Sequence, residues 1–256
     1  MQPMTGGAAL TQNAYLGGRL TIRQPARGYR AGVDPVLLAA AVAARPGQSV
    51  LELGCGVGTA ILCLGHRVPG LDLVAVELQS DYAALAECNA DLNRQPMQVH
   101  CADLAALPAD LRQRRFDHVI ANPPYFDRST STAATDAGRE IAMGEATPLA
   151  TWVSVASRRL APGGHATFIH RAERLPELLA CMAAHLGAIE VLPLQPRQGR
   201  AAKLVLLRAR KGGRAAFRLH APVTMHVGAR HEGDGDSYGD RISAVLRHGA
   251  ALEFPG

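Results

Sequence analysis

The sequence has no C-x-x-C pair and no H-E-x-x-H. Its five cysteines (Cys55, Cys63, Cys88, Cys101 and Cys181) follow no regular spacing. That pattern argues against a disulfide framework and a structural zinc site, and the chain reads as a reduced, cytoplasmic protein with no metal. Long apolar runs are also missing. The longest, Val36–Ala44, covers nine residues, against the ~20 needed to span a bilayer, so no membrane partner is expected. The first ten residues, MQPMTGGAAL, lack a basic stretch followed by an apolar one, so no signal peptide is read there. Asp234, Asp236 and Asp240 lack the glycine and final glutamate of a calcium loop.

Lysine is scarce as well: 25 of the 27 basic residues are arginine. The net charge of +5 is unevenly spread. Residues 1–128 carry 11 basic and 11 acidic side chains, and residues 129–256 carry 16 and 11. Gln195–His220 holds eight basic residues and no acid, and Arg19–Arg30 four arginines and no acid. Two such blocks point to a polyanionic partner. Arg114-Arg115 and Arg158-Arg159 read either as phosphate contacts or as solvated helix ends.

Short apolar runs alternate with helical spacings along most of the 256 residues. Strands are expected at Leu20–Arg23, Ser49–Leu53, Leu71–Val76, Met97–Cys101, Phe116–Ala121, His165–His170, Ile189–Leu194 and Ala202–Leu207. Helices are expected after Asp34-Pro35, with Asp34 as N-cap, and over Thr59–Arg67, Ser80–Leu92, Leu149–Leu160, Glu173–Leu186 and Ser237–His248. Residues 1–18 look frayed, and Pro162-Gly163-Gly164 reads as a helix stop. The pattern is α/β, with a mostly parallel sheet covered on both faces. The polar loop Phe126–Thr147 follows a strand end, where ligands bind in such sheets.

Four strand ends carry the chemistry. Leu51-Glu52-Leu53-Gly54-Cys55-Gly56-Val57-Gly58-Thr59 runs from a strand through three alternate glycines into a helix. The spacing departs from the dinucleotide G-x-G-x-x-G. An acid, Glu52, stands where a pyrophosphate would be repelled and a cationic ligand favoured. Glu77 ends the second strand, where a carboxylate can hold both hydroxyls of a ribose. Asp103 follows the third strand, where it can either receive an adenine amino group or cap a short helix. Asn122-Pro123-Pro124-Tyr125 ends the fourth. There the Asn122 side-chain oxygen and the Pro123 carbonyl can each accept one N–H of a conjugated amine, fixing a weak nucleophile in line with an electrophile. The prolines fix the backbone, and Tyr125 offers a stacking surface. Trp152 reads as core or as a stacking residue, and His165 and His170 as core or edge histidines. Cys55 lacks a histidine partner for a nucleophilic role.

The series LELGCGVGT, AVE, AD and NPPY resembles the class I S-adenosylmethionine-dependent methyltransferases that methylate amino nitrogens, over about Ala31–Leu207. The flank Gln24–Leu38, the loop with Arg139, the Trp152 helix and the Tyr238 helix resemble more narrowly the bacterial tRNA1(Val) (adenine-37-N6)-methyltransferase family. The resemblance implies a Rossmann-like fold with a seven-stranded, mostly parallel sheet: an N-terminal cap over 1–33 and a methyltransferase domain over 34–256. It implies S-adenosylmethionine bound by Gly32, Asp34, Glu52, Gly54, Gly56, Gly58, Thr59, Glu77, Asp103 and Asn122, with Tyr29–Asp34 closing over it. Asn122, Pro123, Pro124 and Tyr125 would be catalytic. tRNA would be held by Arg27, Arg30, Arg139, Arg197, Arg200 and Lys203. Three alternatives stay open: methylation of glutamine N5 in release factors, methylation of a ribosomal RNA amine, and a non-catalytic RNA-binding subunit.

Overall fold

The computed structural model of the chain describes residues 9–28, 30–125, 147–228 and 237–255. Tyr29, Arg139, Asp234, Asp236 and most of the Phe126–Thr147 loop lie outside the described residues. A hairpin comes first, β1 (Leu10–Tyr15) and β2 (Leu20–Pro25), followed by α1 (Asp34–Ala41). Then come β3 (Ser49–Leu53), α2 (Thr59–Arg67), β4 (Asp72–Glu77), α3 (Ser80–Leu92) and β5 (Met97–Cys101). Next are α4 (Ala109–Gln113), β6 (Phe116–Ala121), α5 (Leu149–Arg159), β7 (Leu160–Arg171) and α6 (Leu175–Ala183). The chain ends with β8 (Gly187–Gln195), β9 (Leu204–Arg210), the two-residue strands β10 (Arg218–Leu219) and β11 (Val223–Thr224), and α7 (Asp240–His248).

The seven main strands lie in the order β8-β9-β7-β6-β3-β4-β5, with β10 and β11 both added along β8. All pairs are parallel except those of β9, which runs antiparallel to β7 and β8. Side chains alternate across the sheet. Val50, Leu73, Ala75 and Ile120 pack with α1, α2, α3 and α7. Leu51, Val74, Val76 and Val119 pack with α5 and α6 on the other face. Residues 35–41 of α1 are all buried. The run Val36–Ala41 is apolar all round because α1 is enclosed on all sides.

Three expectations are corrected. Residues 10–15 are a strand, not frayed: β1 pairs along its whole length with β2. The far edge of β2 is closed by α3, whose Asn89 and Asn93 amides bond the Arg23 and Thr21 backbones at 2.8–2.9 Å. Pro162-Gly163-Gly164 lies inside β7, at the irregularity between its pairings with Phe116 and His118. A Cβ on Gly164 would sit 2.8 Å from the Asp117 carbonyl, so the glycine allows backbones to meet there. Val33 is the N-cap of α1, and Asp34 is its first residue.

Candidate active site at the sheet switch point

From β3 the chain winds outward through β4 and β5, then returns to place β6 on the other flank of β3. The crevice beyond the carboxyl ends of β3 and β6 is therefore the switch point, where doubly wound sheets bind ligands. A cavity of about 570 Å³ opens there, within the ~300–1,000 Å³ usual for small-molecule sites. Its walls include Glu52, Gly54, Gly56, Thr59, Glu77, Asp103 and the whole Asn122–Tyr125 run.

The three glycines do different jobs. A Cβ on Gly54, at φ +63°, would overlap the Trp152 indole, whose nitrogen donates to the Thr147 carbonyl at 3.1 Å. The Gly56 N–H donates to Glu77 Oε2 at 2.8 Å. Gly58 does not line the cavity. It caps α2, with its missing side chain toward Ala86, Met97 and Leu62.

Glu77 also accepts the Gln79 N–H on Oε1 at 3.0 Å, so one carboxylate ties the glycine turn to the end of β4. Burial raises the Glu77 carboxyl above its usual range, against the pull of the backbone N–H groups of Gln79, Gly56 and Leu78. Each oxygen keeps a lone pair for a diol. Glu52 is fully enclosed and accepts the Ile61 N–H, in the first turn of α2, at 3.0 Å. Burial pushes its pKa well up, the Ile61 bond opposes, and the neighbouring Glu77 charge adds to the rise. Asp103 Oδ1 caps the short 3-10 helix Leu104–Ala106 through Ala105 N–H at 2.8 Å, and the residue also lines the cavity.

Asn122 Oδ1 and Thr59 Oγ1, on residues that line the cavity, are buried without a hydrogen-bond partner among the described residues. An unmet buried acceptor costs about 1–3 kcal/mol. Behind Asn122, the Tyr125 hydroxyl donates to Asp34 Oδ2 at 2.5 Å, its ring meets the edge of His170 at 5.3 Å between centroids, and the Arg171 guanidinium lies 5.5 Å over it. Asp34 thus holds Tyr125 and is absent from the cavity wall, as is Gly32, while Ala31 and Pro35 line it. Cys55 is buried, and burial pushes its thiol well up, which suits packing and not nucleophilic attack. His170 is fully buried and moved down to about 4 by burial, so it stays neutral.

Trp152 and Arg171 line the cavity beside the expected residues. Trp152 was legible as a possible stacking residue. Arg171 was not, because only the sheet order brings the end of β7 beside β6.

The basic block splits in two. Arg200 and Lys203 are exposed between β8 and β9, at the cavity end, and Ala172 N–H bonds the Lys203 carbonyl at 3.0 Å. Arg197 turns back onto the protein, donating to the carbonyls of Val227 and Gly228 and to the Ser237 hydroxyl. Arg208 pairs with Glu190, and Lys211 is at the opposite end of β9. At the other side of the cavity Arg27 is exposed, and Arg30 lines the wall while bonding Thr11, Asn13 and Pro25.

Among the described residues no group of three or more His, Cys, Asp or Glu can hold a metal, and no helix is long and apolar enough to cross a membrane. All five cysteines are free thiols.

The chain is 31% identical over 169 residues to a tRNA1(Val) (adenine(37)-N6)-methyltransferase of Porphyromonas gingivalis, spanning 62% of this chain and 66% of that one. To the protein of the same name from Actinobacillus succinogenes it is 29% identical over 201 residues, covering 76% and 82%. In fold it is similar to an Agrobacterium tumefaciens protein described as a predicted O-methyltransferase (TM-score 0.71, 24% identity, 87% of this chain and 100% of that one). It is also similar to the T. thermophilus 16S rRNA N2 G1207 methyltransferase in complex with AdoMet and guanosine (TM-score 0.56, 22% identity, 82% and 52%). The family described as methyltransferase small domain matches residues 31–195, and the chain belongs to it.

Proposed function

We propose that the protein transfers a methyl group from S-adenosylmethionine to the exocyclic N6 of an adenine in tRNA, adenine-37 of valine tRNA by the names of its relatives. The donor fits the residues present. Glu77 offers a carboxylate to the ribose diol, Asp103 lies where the adenine amine is read, and a sulfonium nearby would favour the charged form of Glu52 against the burial that raises its pKa. Gly54 and Gly56 leave backbone open to close approach. The bound donor supplies an electrophilic methyl carbon.

The chain's own residues do the rest. Asn122 Oδ1 and the Pro123 carbonyl accept the two N–H bonds of the amine, which fixes its nitrogen and turns its lone pair toward the methyl group. No strong base is required, since the proton leaves late. Pro124 stiffens the motif, and Tyr125 stacks on the base, which must be flipped out of its own stack to enter. The residues before α1 act as a cap over the donor. Arg27, Arg30, Arg200 and Lys203 flank the opening and hold phosphates, and action in the cytoplasm goes with free cysteines.

The observation that carries this reading is the buried Asn122 oxygen at the switch-point cavity, which has no partner among the described residues. Incubation with a methyl-labelled donor tests it, using tRNA lacking the modification and, separately, a release factor. Label in the tRNA is expected; label in the protein alone overturns the reading in favour of glutamine.

A further inference from the structure

The end of the sheet opposite the cavity carries a second concentration of positive charge. Arg115 precedes β6, Arg159 precedes β7 and Lys211 follows β9. These strands are neighbours, with Phe116 paired to Leu160 and His165 to Arg210, so the three cations share one end. Arg112 and Arg158 stand in the last turns of α4 and α5, at the same end. The seven residues of β9 separate this end from the cavity rim by ~20 Å.

Two of the five have structural work. Arg159 donates to the carbonyls of Leu111, at 2.9 Å, and Arg112. Lys211 Nζ donates to those of Ser157 and Leu160 at 2.7 and 2.9 Å. Both cap helix C-termini, where a cation offsets the helix dipole. Arg112, Arg115 and Arg158 are exposed. Arg158 bonds the Ser154 hydroxyl, and Arg115 the carbonyls of Arg112 and Arg114.

No carboxylate pairs with any of the five among the described residues. Asp72 is committed to Arg114, Glu190 to Arg208 and His220, and Asp117 to Ser49, while Asp110 lies at the start of α4. Burial lowers the Arg159 pKa, and the charges of Arg115, Arg158 and Arg112 lower it further. Lys211 is lowered by burial, then by Arg115 and Arg159. Like charges are therefore crowded together with no paired anion among the described residues.

We propose that this end of the sheet binds the phosphodiester backbone of the same RNA whose target base enters the cavity at the other end. The inference rests on the RNA reading above. Exposed guanidinium forks match phosphate oxygens two at a time. No large apolar side chain is exposed on α4, on α5 or on the turns that join them to the sheet, where a protein partner would need an apolar centre.

The test is the triple variant Arg112→Ala, Arg115→Ala, Arg158→Ala, which spares the two helix-capping cations. Binding of full-length tRNA is measured across a salt series, and methylation kinetics are measured on full-length tRNA and on an isolated anticodon stem-loop. The variant should bind full-length tRNA ~10-fold more weakly, with a salt slope shallower by about 2. KM should rise by the same factor at unchanged kcat, and the stem-loop, too short to reach the far end, should be unaffected. Unchanged affinity and slope overturn the proposal. So does tripolyphosphate or polyglutamate binding that the triple variant loses while tRNA affinity stays constant. If wild-type protein methylates neither RNA, the substrate reading fails separately, and the binding arm still decides this one.

Discussion

The Tyr125 hydroxyl donates to the Asp34 carboxylate across 91 residues of sequence, joining the start of α1 to the motif that ends β6. Burial raises the Asp34 carboxyl, and the Tyr125 bond and then the Arg171 charge pull it back. The segment that leads into the cavity wall and the surface offered to the base are thereby one unit.

Tyr125→Phe keeps the ring and deletes the tether. Turnover on tRNA should fall about tenfold, the worth of a hydrogen bond to a charged group, with donor affinity little changed. Asp34→Asn, which keeps an acceptor, should lose less. Steady-state kinetics beside donor calorimetry checks this; full activity in Tyr125→Phe would remove the tether from the account.

Asn122→Ala should bind the donor as wild type does and lose ~10²–10³ in kcat, as for the loss of one oriented polar contact to the reacting group. Single-turnover kinetics gives the answer. Retained turnover would take Asn122 out of the mechanism.

Glu77→Gln turns one acceptor into a donor facing a backbone N–H, of Gly56 or of Gln79. Donor affinity should weaken by ~10–100-fold and thermal stability should drop. The chain has a single tryptophan, Trp152, at the cavity wall, so its fluorescence reports donor binding directly. An unchanged titration curve would contradict the role of Glu77.

The switch-point motifs were legible because each joins a β-run to chemistry at its end: Glu52 and the glycines, Glu77, Asp103 and Asn122. The bounds of α2, α3, β5 and β6 were also readable, since apolar period and turn residues agree there. β1 was hidden because Thr11, Gln12 and Asn13 give no apolar alternation. It is held by β2 and by the Asn89 and Asn93 amides behind it, which are tertiary facts. The first half of β7 was hidden because Pro162-Gly163-Gly164 imitates a helix stop, although Gly164 serves a close backbone contact. The basic block was legible as charge and misleading as a surface, since β9 carries its two halves to opposite ends of the sheet.

His118 is buried, bonds Gln48 Oε1 at 3.1 Å and is lowered to about 4, chiefly by burial and then by the neighbouring His165. Between pH 6.5 and 4 the unfolded chain binds a proton that the fold refuses, so this group's contribution to stability falls as pH falls through that window. His118→Gln should remove acid sensitivity on the order of 2 kcal/mol at pH 5. Denaturant melts of both proteins at pH 7 and pH 5 show it; parallel losses would contradict it.

Nucleoside mass spectrometry of tRNA from cells with and without the gene is the most direct test of the central claim. The account predicts N6-methyladenosine in the first sample and its loss in the second, restored by wild-type protein and not by Asn122→Ala. Identical nucleoside profiles in the two samples would contradict it.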